Sequence, residues 1–152
     1  MKRILLLLLI PTMFFACEAL TGKEIGRLEI NQVSTEDNMV IKEITLDLMQ
    51  GDEVGVWSEM DFKYEGDVGI MFRIQVLKDG EELTVVDVDP REKNISINEV
   101  RTEVNEKVNW RFVGKNTTIS IDESGLYTFK AGLIASDNGS LEVKKAELVF
   151  KK

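Results

Sequence analysis

"EVGVWSEMDFKYEGDVGIMFRIQVLKDGEELTVV", residues 53–86, alternates apolar and polar side chains almost throughout. Val54, Val56, Met60 and Phe62 fall on one face of an extended chain, and Ile70, Phe72, Ile74 and Val76 repeat the pattern after "YEGDV". Period two is strand geometry, because successive side chains leave opposite faces of the pleat. The two segments read as a hairpin whose cross-strand partners have numbers summing to 132. "KDGEE" then places Asp79-Gly80 where a two-residue turn needs positive φ, so a second hairpin runs into Leu83–Val88 and is closed by Pro90.

The same period extends outward. Ile44, Leu46 and Leu48 form one apolar face before this stretch, and Val100, Thr102, Val104, Val108, Trp110 and Phe112 share even numbers after it, predicting a single core-facing parity. Ile119 and Ile121 mark a shorter strand, and Tyr127, Phe129, Ala131 and Leu133 another. In the last strand the apolar parity switches from Leu141 and Val143 to Ala146, Leu148 and Phe150, which predicts a bulge near Lys144-Lys145. Eight or so strands at this spacing imply an all-β protein, a single antiparallel β-sandwich of jelly-roll order, with an immunoglobulin-like order as the alternative.

A chain of 152 residues suits one core. Its formal charge is -8, and without Lys2 and Arg3 the remainder carries 17 basic against 27 acidic residues, or -10. Such a surface repels nucleic acid. Histidine is absent and cysteine occurs once, which excludes imidazole and multi-thiolate zinc sites, Ser-His-Asp triads, Cys-His pairs and any intramolecular disulfide. No metal and no cofactor is expected.

The chain begins "MKRILLLLLIPTMFFAC", with two basic residues, an apolar run too short and broken to span a bilayer, and Ala16 before Cys17. That order is an export signal, and a cysteine closing it resembles the lipobox of bacterial lipoproteins. The resemblance implies cleavage after Ala16, acylation of Cys17 by two or three chains, and stable attachment to a membrane from outside the cytoplasm. An ordinary secretory signal is the alternative. The expected organisation is a signal peptide over 1–16, a lipidated tether over 17–38 with one short strand at Leu28 and Ile30, and a β-sandwich over 39–152. The expected address is the cell envelope, the outer membrane ahead of the inner.

Trp57 is out of step with the apolar face, alongside Glu59 and Asp61. In the hairpin register Trp57 opposes Gln75 and Glu59 opposes Arg73, so an aromatic ring, an amide, a guanidinium and two carboxylates would share an outer face. That set suits a sugar, whose apolar face stacks on the ring while its hydroxyls meet the polar groups. The alternative is a Trp57 covered by other segments beside a solvated ion pair. "WSEMDFKYE" also resembles the acidic strand of laminarinase-type jelly-roll glycosidases, which implies roles for Glu59, Asp61 and Glu65, although Lys63 or Tyr64 stands where the general acid belongs. Asp87, Asp89 and Glu92 could offer oxygens to calcium, or form a solvated acidic loop. The sequons at Asn94, Asn116 and Asn138 read as turn chemistry. The functional expectation is a non-catalytic binding module for a carbohydrate or an envelope protein, with a structural lipoprotein lacking any small ligand as the alternative and a glycoside hydrolase behind both.

Overall fold

The computed structural model describes residues 21–152, so the expected signal segment and Cys17 lie outside the described residues. Nine strands follow in order: β1 Glu24–Glu29, β2 Lys42–Leu48, β3 Glu53–Glu65, β4 Ile70–Lys78, β5 Glu81–Val88, β6 Ile95–Val104, β7 Lys107–Ser120, β8 Gly125–Ala135 and β9 Glu142–Lys151. They form two antiparallel sheets, β1-β9-β3-β7-β6 and β2-β8-β4-β5, packed face to face. Set β6 aside and the pairing is nested: β1 with β9, β2 with β8, β3 with β7, β4 with β5. A long antiparallel ribbon rolled so that neighbouring strands alternate between sheets is the jelly-roll winding.

The core is built largely from the apolar faces read from the sequence, with Phe62, Phe72, Phe112, Phe129 and Phe150 fully buried among Leu48, Val54, Val56, Met60, Ile74 and Leu148. Each such side chain contributes about 2–3 kcal/mol of transfer free energy. Asp79 and Gly80 have φ of 50° and 91° and close the expected β4–β5 hairpin. The predicted bulge is also present: opposite β3 the register passes from Lys145 to Val143, leaving Lys144 as the extra residue.

Three expectations are corrected. β3 and β4 are not a hairpin, since β3 pairs with β7 and β9 while β4 pairs with β5 and β8 in the other sheet. Both edges of β3 are already occupied, and the link over residues 66–69 passes from one sheet to the other instead of turning within a sheet. The strand at Leu28 and Ile30 is not part of a tether, because β1 pairs with β9 and both side chains are buried. The sandwich therefore begins at Glu24, ahead of Met39.

The run from Val100 to Phe112 is not one strand. Asn105 and Glu106, at φ of 49° and 65°, make a two-residue turn that folds β6 back on β7. Val104 opposes Lys107 and Val100 opposes Arg111, so the even positions of β6 share a face with the odd positions of β7. Opposed residues leave the same side of a sheet. Val100 and Val104 accordingly point outward, 49% and 67% exposed, while Val108 and Phe112 point into the core. β6 is the ninth strand, outside the eight-strand winding, and it is exposed along its whole length.

Where β7 is least covered, Lys93 closes the core. Its ammonium sits 3.9 Å from the centre of the Phe112 ring and 4.6 Å from that of Trp110, and it pairs with Glu99 at 3.1 Å. A Cβ on Gly114 would fall 2.3 Å from the Lys93 stem, so the glycine makes room for this plug. The Asn116 amide donates to the carbonyls of Asp89 and Glu92, and that of Asn138 to Glu65 and Asp67. Both sequon asparagines hold connecting segments in place.

Candidate functional site

The five residues expected to share one face lie on opposite sides of the sandwich. Trp57, Glu59 and Asp61 sit on the outer face of the five-stranded sheet, and Arg73 and Gln75 on the outer face of the four-stranded one. The register that united them assumed the β3–β4 hairpin.

Trp57 is only 2% exposed. Its indole nitrogen lies 3.1 Å from where a Cβ on Gly55 would stand, with the Lys115 stem 3.3 Å from the same point, and the Lys151 ammonium sits 4.6 Å above the ring. Gly55 thus lets the ring lie flat on the sheet under two lysine stems. No sugar can stack on a ring covered in this way.

Beside it, Glu59 belongs to an ion-pair network spanning β1, β9 and β3. Arg27 donates to Glu24 at 2.8 and 3.0 Å, to Glu59 at 3.2 Å and to Glu147, while Lys145 donates to Glu59 and lies 3.5 Å from Glu147. Glu147 is 7% exposed, so its charge requires these partners. Burial pushes the Glu59 carboxyl upward, but the hydrogen bonds from Arg27 and Lys145 outweigh it and hold the group below the usual carboxylate range. Both cations are in turn raised by the same carboxylates. A carboxyl so held remains ionised at neutral pH and is a poor proton donor. Asp61 opposes Arg111 and Lys145 across the sheet, and Glu65 is 3.8 Å from Lys107 at the strand end.

Arg73 and Gln75 border a groove of about 320 Å³ on the other face. Its walls are Met39 and Ile41 from the β1–β2 connection, Val85 from β5 and Ile134 from β8, all exposed, over Gly132. The connection is held down locally: Ser34 donates its N–H to the Leu133 carbonyl at 2.7 Å, its hydroxyl donates to the Val40 carbonyl at 3.0 Å, and Val40 N–H returns a bond to that hydroxyl at 3.1 Å. A Cβ at position 132 would lie 3.0 Å from the Val40 carbonyl oxygen, so glycine there lets the connection approach β8. At the rim Arg73 is bidentate to Asp87, both bonds 2.9 Å, Lys130 lies 3.3 Å from Glu43, and Gln75 donates to Glu82. The groove is apolar within and charged around its edge, and among the described residues no aromatic side chain lines it.

The acidic loop does not gather its oxygens. Asp87 is taken by Arg73 and Asp89 by Arg91, and among the described residues no group of three or more acidic or cysteine side chains is placed to hold a metal ion. A larger cleft of about 630 Å³ opens between β5 and the β7–β8 turn, where Lys78 pairs with Glu123 amid Asp79, Glu81, Glu82 and Asp122. Sequence reasoning missed Met39, Ile41, Val85 and Ile134. The available signal was parity, because Ile134 follows Leu133 off the core-facing positions of β8 and Val85 adjoins Val86.

No protein-family model matches the chain, and no curated protein matches it. Among solved structures, the infectious bursal disease virus VP2 subviral particle is similar at 10% identity and a TM-score of 0.41, over 82% of this chain and 31% of that one. A β-glucosidase from Paenibacillus barengoltzii is similar at 15% identity and a TM-score of 0.32, over 76% of this chain and 11% of that one. The chain thus spans about a third of the capsid protein and a ninth of the glucosidase.

Proposed function

We propose that this is an envelope lipoprotein, anchored through acylated Cys17, whose sandwich is a non-catalytic interaction domain for another envelope protein. One observation carries the choice of partner: the open surface of the four-stranded sheet is an apolar groove ringed by charge. Exposed apolar side chains gathered in one groove mark contact surfaces for protein segments. A sugar site would call for an open aromatic platform, and Trp57 is covered. The non-catalytic reading is supported by Glu59, which its two cationic partners keep ionised.

A photo-crosslinking residue at Ile134 in the full chain, activated in cells, should capture one defined envelope protein. The same probe at exposed Asn109, on the outer face of the opposite sheet, should not, and Ile41→Asp should abolish capture at Ile134. Equal capture at both positions, or none at Ile134 alongside a saturable response to a soluble glycan, would remove the protein-partner reading.

A further inference from the structure

We propose that β6 is a self-complementary edge through which two copies of this chain pair antiparallel about Thr102, joining their five-stranded sheets into one. The inference rests on the β6 strand and is independent of the groove.

Among the described residues β6 pairs with β7 alone, so its other edge presents backbone groups to solvent. Such an edge is a template for strand addition unless lysine, proline or local distortion blunts it. On one side of the sandwich β1 and β2 close against each other, leaving β5 and β6 as the open edges. β5 carries Glu81 and Glu82 and a register break between Val76 and Leu77 of its partner. β6 has neither lysine nor proline, and its register against β7 is unbroken from Val100 to Val104.

The direction of the backbone groups selects the register. Val104 and Lys107 flank a two-residue turn, so Val104, Thr102 and Val100 direct their N–H and C=O groups to β7. Arg101 and Glu103 therefore direct theirs outward. With a twofold axis at Thr102, each Arg101 opposes the second copy's Glu103, and the two exchange both ladder bonds. On the outer face each Val100 meets a Val104, and Thr102 meets Thr102. Arg101 and Glu103 already pair within one strand at 2.8 Å, and the contact exchanges those two pairs for two across the axis while adding two apolar pairs, as an isologous contact requires. Centring on Arg101 would instead set Arg101 against itself and Glu99 against Glu103. Centring on Val100 would run the ladder into Asn98, at a φ of 54°, and into Glu99, which already binds Lys93, Ser96 and Trp110.

The test is sedimentation of the full chain in detergent over a wide concentration range. A concentration-dependent dimer is expected, with Arg101→Glu weakening it about tenfold and Arg101→Glu with Glu103→Arg restoring it. A monomer at every concentration, or a dimer indifferent to Arg101→Glu, overturns the proposal. Oxidation supplies a readout that survives any folding defect of the charge variants. Thr102→Cys should form a disulfide dimer well above the background of the unsubstituted chain, because the paired Cα atoms would stand about 4.5 Å apart. Val100→Cys should crosslink to Val104→Cys and not to itself. Crosslinking at Thr84 of β5 in preference to Thr102 would place the contact elsewhere and refute this register.

Discussion

The two outer faces of this sandwich use the same alternation of side chains in opposite ways. Over β1, β9 and β3 of the five-stranded sheet the outward residues satisfy one another: Trp57 lies under lysine stems, and Arg27 and Lys145 neutralise Glu59 and Glu147. On the four-stranded sheet the outward residues leave apolar area in solvent at Met39, Ile41, Val85 and Ile134. A face that has paired its charges internally contributes to stability, whereas a face left apolar offers itself to something else.

That contrast can be broken from the closed side first. Trp57→Ala should cost about 3–5 kcal/mol in denaturant unfolding, because it empties a covered site. Trp57 on an open platform would make the change nearly neutral, and a neutral result would reverse the assignment of the two faces. Arg27→Met comes next. It leaves Glu59 and Glu147 with Lys145 as their shared cation, and should cost about 2 kcal/mol, less than a fully enclosed pair because water still reaches the guanidinium.

Acid should act through the same carboxylate. The folded-state pKa of Glu59 lies below its unfolded value, so its contribution is complete above the unfolded pKa, roughly pH 4.3, and is lost as pH falls through the lower folded value. Asp89, held down by Arg91 against its own burial, has the same sign. Unfolding midpoints should fall steadily below roughly pH 5 in the unsubstituted chain, and less steeply in Arg27→Met. Parallel pH curves for the two would show that the network does not set the acid limit.

On the open side the stability effects should be small. Ile41→Asp should change unfolding free energy by about 0.5 kcal/mol or less while eliminating capture at Ile134. Arg73→Ala, which removes an exposed bidentate pair with Asp87, should leave the unfolding midpoint nearly unchanged. A cost near that of Arg27→Met would mean that the two faces do not differ in kind.

Much of the architecture was legible because burial imposes a period. The even-numbered core faces of β3 and β4, the odd-numbered core face of β8, the Asp79-Gly80 turn and the bulge at Lys144 were all readable from local chemistry, since each depends on neighbours close in the chain. The β3–β4 hairpin was not, because alternation says which side of a strand meets the core and not which sheet the strand joins. Two strands with matched apolar parity can lie side by side or face each other across the core, and both arrangements bury the same residues. Asn105-Glu106 lacks the glycine that marks a tight hairpin, so the reversal that turns Val100 and Val104 outward gave no signal.

The sequence alone therefore determined a strand-built chain with one core and no histidine chemistry. Which polar residues meet was decided only by the tertiary structure. Arg27 reaches Glu147 across 120 positions of chain, and Trp57 is separated from Gln75 by the thickness of the sandwich. The physical reason is that side-chain direction follows from the local pleat, while side-chain company follows from the order of strands, which is set by the packing of the whole core.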